Sequence, residues 1–288
     1  MKPGRFSYEA PKTIEDALAS LASRRDDAKV IAGGQSLAPM LNMRLARPEH
    51  LIDINGLKEL SEIRLDGDRL TIGAMVRHAA LGKNALVHRH CPMLAHAAET
   101  IGHYAIRQRG TIGGSLAHAD PAAQLPLAAL VLDADVEIWS ATRKRTVPAC
   151  QFFVSIFTTV INPDELIVAV HVPVTYPRGG WGFRLFNRRA GDFAMVSVAA
   201  TLRRTDDETI QGLRLAIGGI GPVPVRVETL AADDAASRMS EDWSATVAAT
   251  VAGAVEIEDN ERTPVNFRRE LVAALTQDAL AQALENAR

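Results

Sequence analysis

Gly110-Thr-Ile-Gly-Gly-Ser-Leu-Ala-His-Ala-Asp-Pro121 is the stretch on which the reading of this chain turns, and Val30-Ile-Ala-Gly-Gly-Gln-Ser-Leu37 is its counterpart. Each glycine pair, Gly33-Gly34 and Gly113-Gly114, follows an apolar or strand-like run and precedes a serine, a leucine and an expected helix start. A residue without Cβ tolerates positive φ and lets backbone N–H groups approach a bulky anion closely. Two such loops, far apart in sequence, can close on the two phosphates of one dinucleotide. The Ser36 or Ser115 hydroxyl and a helix N-terminus would add to that attraction. A single Gly-Gly after a strand is more often just a tight turn, so on the residues alone both readings stay open. Neither string is G-x-G-x-x-G or G-x-x-x-x-G-K-[ST], which leaves a Rossmann site and a P-loop without support.

Working outward, Thr13 is placed to N-cap a helix over 14–22, with Glu15 and Asp16 at its positive end. A short strand over 28–32 runs into the first glycine pair, and Ser36 is placed to cap a helix from Leu37 to Leu45. Leu51 to Ile54 reads as a strand stopped by Asn55-Gly56. Strands at Glu62 to Leu65 and Arg69 to Ile72 meet at the turn signal Asp66-Gly67. A helix-rich stretch over 76–102 is broken at Cys91-Pro92, and Gln124 to Leu132 reads as a further helix. Strands follow at Val136 to Ser140 and Glu165 to Val172. Tyr176-Pro-Arg-Gly-Gly-Trp181 is the clearest internal boundary. Beyond it, strands at Ala194 to Leu202 and Leu213 to Ile217 flank a polar hairpin, Arg203 to Glu208. From about Val225 the chain turns alanine-rich and helical, through Trp243 and Arg269 to Leu284. The fold expected is α+β: an N-terminal α/β domain over 1–176, with subdomains of about 1–56 and 57–176. A C-terminal domain over 177–288 with a small antiparallel sheet and helices completes it.

Composition sets the class. The 288 residues are 47% hydrophobic and 23% charged, ordinary for a soluble globular protein. A net charge of -2 argues against nucleic-acid binding by bulk electrostatics. Cys91 and Cys150 alone can form neither a cysteine-ligated iron–sulfur cluster nor a CxxC zinc site. No apolar run approaches the roughly 20 residues of a membrane span, and the N-terminus has no leader-like apolar stretch. A cytoplasmic, non-membrane-embedded protein is expected. His78, His88, His90, His96 and His103 with Cys91 crowd one region, but their spacing reads as surface or capping histidines rather than a metal site. Arg143-Lys-Arg145 reads as a solvated hairpin tip. No Ser–His–Asp constellation is present, so no catalytic residue is assigned.

The chain resembles the FAD-binding medium subunits of molybdenum hydroxylases, the carbon monoxide dehydrogenase and xanthine dehydrogenase family. Ala32-Gly-Gly-Gln-Ser36 and Thr111-Ile-Gly-Gly-Ser115 are similar to that family's two FAD loops. Met43 to Ile54, Ile72-Gly-Ala74, Ala98-Glu-Thr-Ile-Gly102, Arg107-Gln-Arg-Gly110, His118 to Ala123, Arg188 to Met195 and Ile217 to Pro222 extend the likeness over nearly the whole chain. The resemblance implies an FAD-binding domain of the vanillyl-alcohol-oxidase type. Ala32, Gly33, Gly34, Gln35, Ser36 and Leu37, with Thr111, Ile112, Gly113, Gly114 and Ser115, would hold the FAD diphosphate mainly through backbone groups. Ile101 and Gly102 would lie beside the flavin, Ile167 would pack against the cofactor, and Phe193 would cover the isoalloxazine ring. Arg184 matches, on a loose local alignment, a basic residue near the flavin. Gln124 stands where relatives often carry an Asp that contacts a cofactor hydroxyl; an amide still accepts and donates there. Phe193 is often Trp or Tyr in relatives, so the stacking face is kept and the polar handle lost.

The role so implied is electron transfer. Partners would be a large subunit with the molybdopterin cofactor and a small subunit with two [2Fe-2S] clusters, two copies of each in a heterohexamer, with an external electron acceptor. An alternative is a self-sufficient FAD-dependent oxidase or dehydrogenase with its own substrate pocket. The chain offers no positioned base for it.

Overall fold

A computed structural model describes residues 2–174, 179–204, 209–227, 237–238, 242–260 and 263–287. The N-terminal unit comprises β1 (Ser7–Glu9), α1 (Ile14–Arg24), β2 (Ala28–Ile31), α2 (Leu37–Asn42) and β3 (His50–Asp53). Its three strands form a parallel sheet in the order β1-β3-β2. Thr13 caps α1 as its sequence position suggests, its hydroxyl accepting from Asp16 N–H at 3.1 Å. Ile14, Ala17, Leu18 and Leu21 then bury one stripe of α1 over the sheet. β1 is a strand not expected from the sequence. Two helix details differ from expectation: α2 stops at Asn42, and Ser36 precedes it in helical conformation without a side-chain capping bond.

The next block runs β4 (Ile63–Asp66), β5 (Arg69–Gly73), α3 (His78–Lys83), α4 (Ala85–His90), α5 (Pro92–Glu99), α6 (Tyr104–Arg109), α7 (Ile112–His118) and α8 (Gln124–Val131). It continues through β6 (Asp135–Trp139), β7 (Lys144–Pro148), α9 (Ala149–Phe152), the small hairpin β8 (Phe153–Ser155) and β9 (Thr158–Thr159), and β10 (Leu166–Pro173). Its sheet is antiparallel, ordered β4-β5-β10-β6-β7. Every residue of α8 is buried, which fits the unbroken apolar run from Leu125 to Val131 behind Gln124.

The last block has β11 (Gly179–Phe186), β12 (Val196–Arg204), β13 (Thr209–Gly218), β14 (Val225–Arg226), β15 (Ser237–Arg238), α10 (Trp243–Ala254) and α11 (Val265–Asn286). β11 to β14 form an antiparallel sheet in chain order, with β15 paired to β13. On β12, Val198 and Ala200 face one core with α10 and α11, while Ala199 joins the core that holds α5 and α8. The sheet is therefore a middle layer between two helical layers. Parts of the expected boundary at Tyr176, of the Arg203 to Glu208 hairpin and of the stretch beyond Val225 lie outside the described residues.

Two further readings are corrected. Arg145 is not a solvated hairpin tip: its guanidinium reaches Glu165 through Nε (2.7 Å) and Nη2 (2.6 Å) and Val160 C=O at 2.7 Å. The clustered histidines go separate ways. His88 bonds Gly82 C=O, His78 bonds Thr111 C=O and His96 packs on Trp181 and Phe183. Among the described residues no group of three His, Cys, Asp or Glu side chains could hold a metal ion. Cys91 is buried and Cys150 exposed, both as free thiols.

Candidate functional site

The two glycine segments, separate in sequence, meet in space. The first jaw, residues 32–36, leaves β2 in a turn in which Gly34 takes φ 70°. Gly33 packs flat against the Arg109 carbonyl and the Gly110 Cα just ahead of the second jaw; a Cβ there would collide with that backbone. Ala32 and Gly114 also face each other across the contact. Gly33 is thus demanded by the approach of the two jaws themselves.

Their backbone donors differ. Among the described residues, the N–H groups of Gly33, Gly34, Gln35 and Ser36 donate no hydrogen bond within the chain. The second jaw has spent its donors: Ile112 N–H on Val76 C=O (3.1 Å), Gly113 N–H on Ala74 C=O (2.9 Å) and Ser115 N–H on Thr111 C=O (3.0 Å). Gly114 N–H goes to the Thr111 hydroxyl at 3.1 Å. Thr111 is the N-cap of α7, so Gly113 and Gly114 lie inside its first turn rather than ahead of it. The expectation that both segments offer free backbone groups is corrected accordingly. The first jaw supplies the open N–H row, while the second supplies a bare Cα surface at Gly114 and the half-buried Ser115. A row of unpaired N–H groups beside a surface without Cβ is what a diphosphate fits.

A second grouping lies at the far end of α5. Gly102 takes φ 49°, and Arg107 Nη1 ties both Ile101 C=O and Gly102 C=O at 2.9 Å. The adjacent His103 ring lies against Gly191, whose φ is 91°, so the Arg188–Phe193 turn of the C-terminal block is seated beside Ile101-Gly102. Phe193 is 59% exposed. A cavity of about 350 Å³ opens there, lined among others by Asp120, Arg188, Asp192, Phe193, Met195 and Arg268.

The remaining candidates stand back from these groupings. Ile167 is 5% exposed in β10, opposite Ile138. Gln124 is buried at the start of α8. Arg184 is held by Gln282 of α11, and its charge lies near enough to His96 to help lower that ring's pKa, after burial. Sequence reasoning missed Arg77, which holds the Arg109 carbonyl, and read Asn55 only as a strand stop. The available signal was a polar residue just past the end of β3 and a basic one immediately ahead of α3.

A parallel N-terminal unit and an antiparallel block thus bring two glycine segments together, and a third unit places the exposed Phe193 beside the second grouping, an arrangement that comparison with known proteins assigns to an FAD-binding subunit. Residues 4–175 match the family model for the FAD binding domain in molybdopterin dehydrogenase, and residues 181–283 match that for the CO dehydrogenase flavoprotein C-terminal domain. The chain belongs to this family of FAD-binding medium subunits of molybdenum hydroxylases. It is 39% identical to the 6-hydroxypseudooxynicotine dehydrogenase complex subunit alpha of Paenarthrobacter nicotinovorans, over 100% of this chain and 97% of that protein. It is 42% identical to the nicotine 6-hydroxylase medium subunit of the same organism, over 76% of each chain. Among solved structures, a chain of Hydrogenophaga pseudoflava carbon monoxide dehydrogenase superposes with TM-score 0.94 at 33% identity, covering 99% of both chains. A chain of quinoline 2-oxidoreductase from Pseudomonas putida 86 does so with TM-score 0.93 at 33% identity, covering 100% of this chain and 99% of that one.

Proposed function

We propose that this chain is the electron-exit subunit of a molybdenum hydroxylase: it takes electrons from [2Fe-2S] clusters of a small subunit and passes them to an external acceptor. Substrate oxidation would take place in a large subunit carrying the molybdopterin cofactor. FAD, when bound, supplies the exchange between one-electron and two-electron carriers. The protein supplies position and electrostatics. The first jaw would hold the diphosphate on its open N–H row, with Ser115 and the bare Gly114 closing from the other side. Ile101 and Gly102 would border the flavin and Phe193 would cover it. Ile167 would pack behind the cofactor, Gln124 would hydrogen-bond its hydroxyls, and Arg184 would add positive charge nearby. In this reading the FAD-binding part ends at about residue 176 and the C-terminal part begins at 177.

The observation that carries the reading is the run of N–H groups at 33–36 that donate no bond among the described residues, in a segment packed through Gly33 against Arg109-Gly110 and through Ala32 against Gly114. Removing FAD from the assembled complex tests it. Substrate should still reduce the iron–sulfur clusters, while turnover with an external acceptor disappears and returns when FAD is added back. Undiminished turnover without FAD would exclude the role.

A further inference from the structure

The two jaws are joined by a short chain of polar groups. Asn55, just past β3, donates from Nδ2 to Ala32 C=O at 2.8 Å, the first residue of the first jaw. The same nitrogen lies 2.6 Å from Asp53 Oδ1, while Asn55 Oδ1 accepts from Arg77 Nη2 at 2.6 Å. The amide is thereby oriented, nitrogen toward the carbonyl and carboxylate and oxygen toward the guanidinium. Asp53 is itself fixed, by Tyr8 OH at 2.5 Å and Asn55 N–H at 2.8 Å.

Arg77 completes the bridge. Its Nη1 donates to the Arg109 carbonyl, the same carbonyl on which Gly33 rests, and its backbone forms an isolated antiparallel bridge with Thr111, the cap of the second jaw. One planar fork therefore spans an acceptor on each side of the jaw contact, a geometry that an ammonium on a flexible stem does not reproduce. Burial and the neighbouring Arg109 charge disfavour the Arg77 cation, and the Asp53 carboxylate offsets part of that.

We propose that Asn55 and Arg77 are positioning residues of the cofactor site, fixing the spacing and mutual orientation of the two jaws so that a diphosphate engages both. The inference rests on the reading of the jaws as the FAD diphosphate clamp. Neither side chain has to touch the cofactor; both act through the carbonyls of Ala32 and Arg109.

The test is titration of the full-length, flavin-free chain with FAD, ADP and riboflavin, in the wild type and in Asn55→Ala and Arg77→Lys. Riboflavin carries the flavin ring without the diphosphate, and ADP carries the diphosphate without the ring. FAD and ADP should each bind about tenfold more weakly in both variants, the scale of one lost charge-assisted hydrogen bond. Riboflavin binding and the circular dichroism spectrum should be unchanged. Arg77→Lys keeps charge and stem, so it guards against a variant that simply fails to fold. Equal weakening of all three ligands would show a general structural role and overturn the proposal, as would undiminished FAD or ADP binding. A wild-type chain with no FAD affinity would instead overturn the clamp reading on which the proposal rests.

Discussion

His78 sits beneath the second jaw, its Nε2 3.0 Å from the Thr111 carbonyl and its backbone N–H bonded to Gly110 C=O at 2.9 Å. Only a protonated ring nitrogen can donate to a carbonyl, so the neutral ring carries its hydrogen on Nε2. Burial pushes its pKa down to about 4; the bond to Thr111 opposes the shift, and the Arg107 and Arg77 charges add to it. The unfolded chain takes up this proton near pH 6.5, the folded chain only near 4. Between those values the unfolded state binds more protons. The contribution of His78 to stability is therefore complete above about pH 6.5 and falls as the pH drops toward 4. Its loss should be on the order of 2–3 kcal/mol. Denaturant unfolding across this range should show a shallower decline for His78→Gln than for the wild type. Parallel profiles would mean that the ring is not held neutral. Nothing in the sequence sets His78 apart from its neighbours, because its burial arises from packing against Gly110, whose missing Cβ leaves room for the ring.

At the scale of elements, the sequence signals that worked were local ones. Thr13 caps α1, Asp66-Gly67 turns β4 into β5, and Cys91-Pro92 separates α4 from α5. Those that failed depended on partners elsewhere in the chain. The stretch Tyr176 to Trp181 does fall between the two family matches, 4–175 and 181–283, but its Gly179 and Gly180 already belong to β11, where Cβ atoms at 180 and 182 would run into the α11 backbone at Ala283 and Ala279. Gly113 likewise lies inside α7, where a Cβ would run into Ala74. Arg145 misled for the same reason: its basic neighbours suggest a solvated tip, but Glu165 lies on the loop before β10. That carboxylate is held below the usual range against the opposing effect of its burial, by Arg145 and by the Asn162 N–H at 2.8 Å. Arg145→Ala leaves the carboxylate buried without its counter-ion and should cost about 3 kcal/mol. Urea unfolding at neutral pH measures that loss, and a change within a few tenths of a kcal/mol would mean that the pair is idle.

For the whole molecule, the family resemblance of the glycine segments is legible in the chain, whereas their mutual arrangement is not. The jaws belong to different sheets' neighbourhoods, and only the fold brings Gly33 against Arg109 and links Asn55 to Arg77. Phe193, proposed to cover the flavin, comes from the third unit, which meets the second where Gly191 lies against the His103 ring. The proposed FAD site therefore draws on residues of all three packed units. The central claim, that this chain itself holds FAD, is tested most directly by flavin analysis of the purified protein. Acid treatment should release FAD, equimolar with the protein, and the stripped chain should take up FAD again to the same ratio. A folded chain that contains no FAD and binds none on titration would contradict the account.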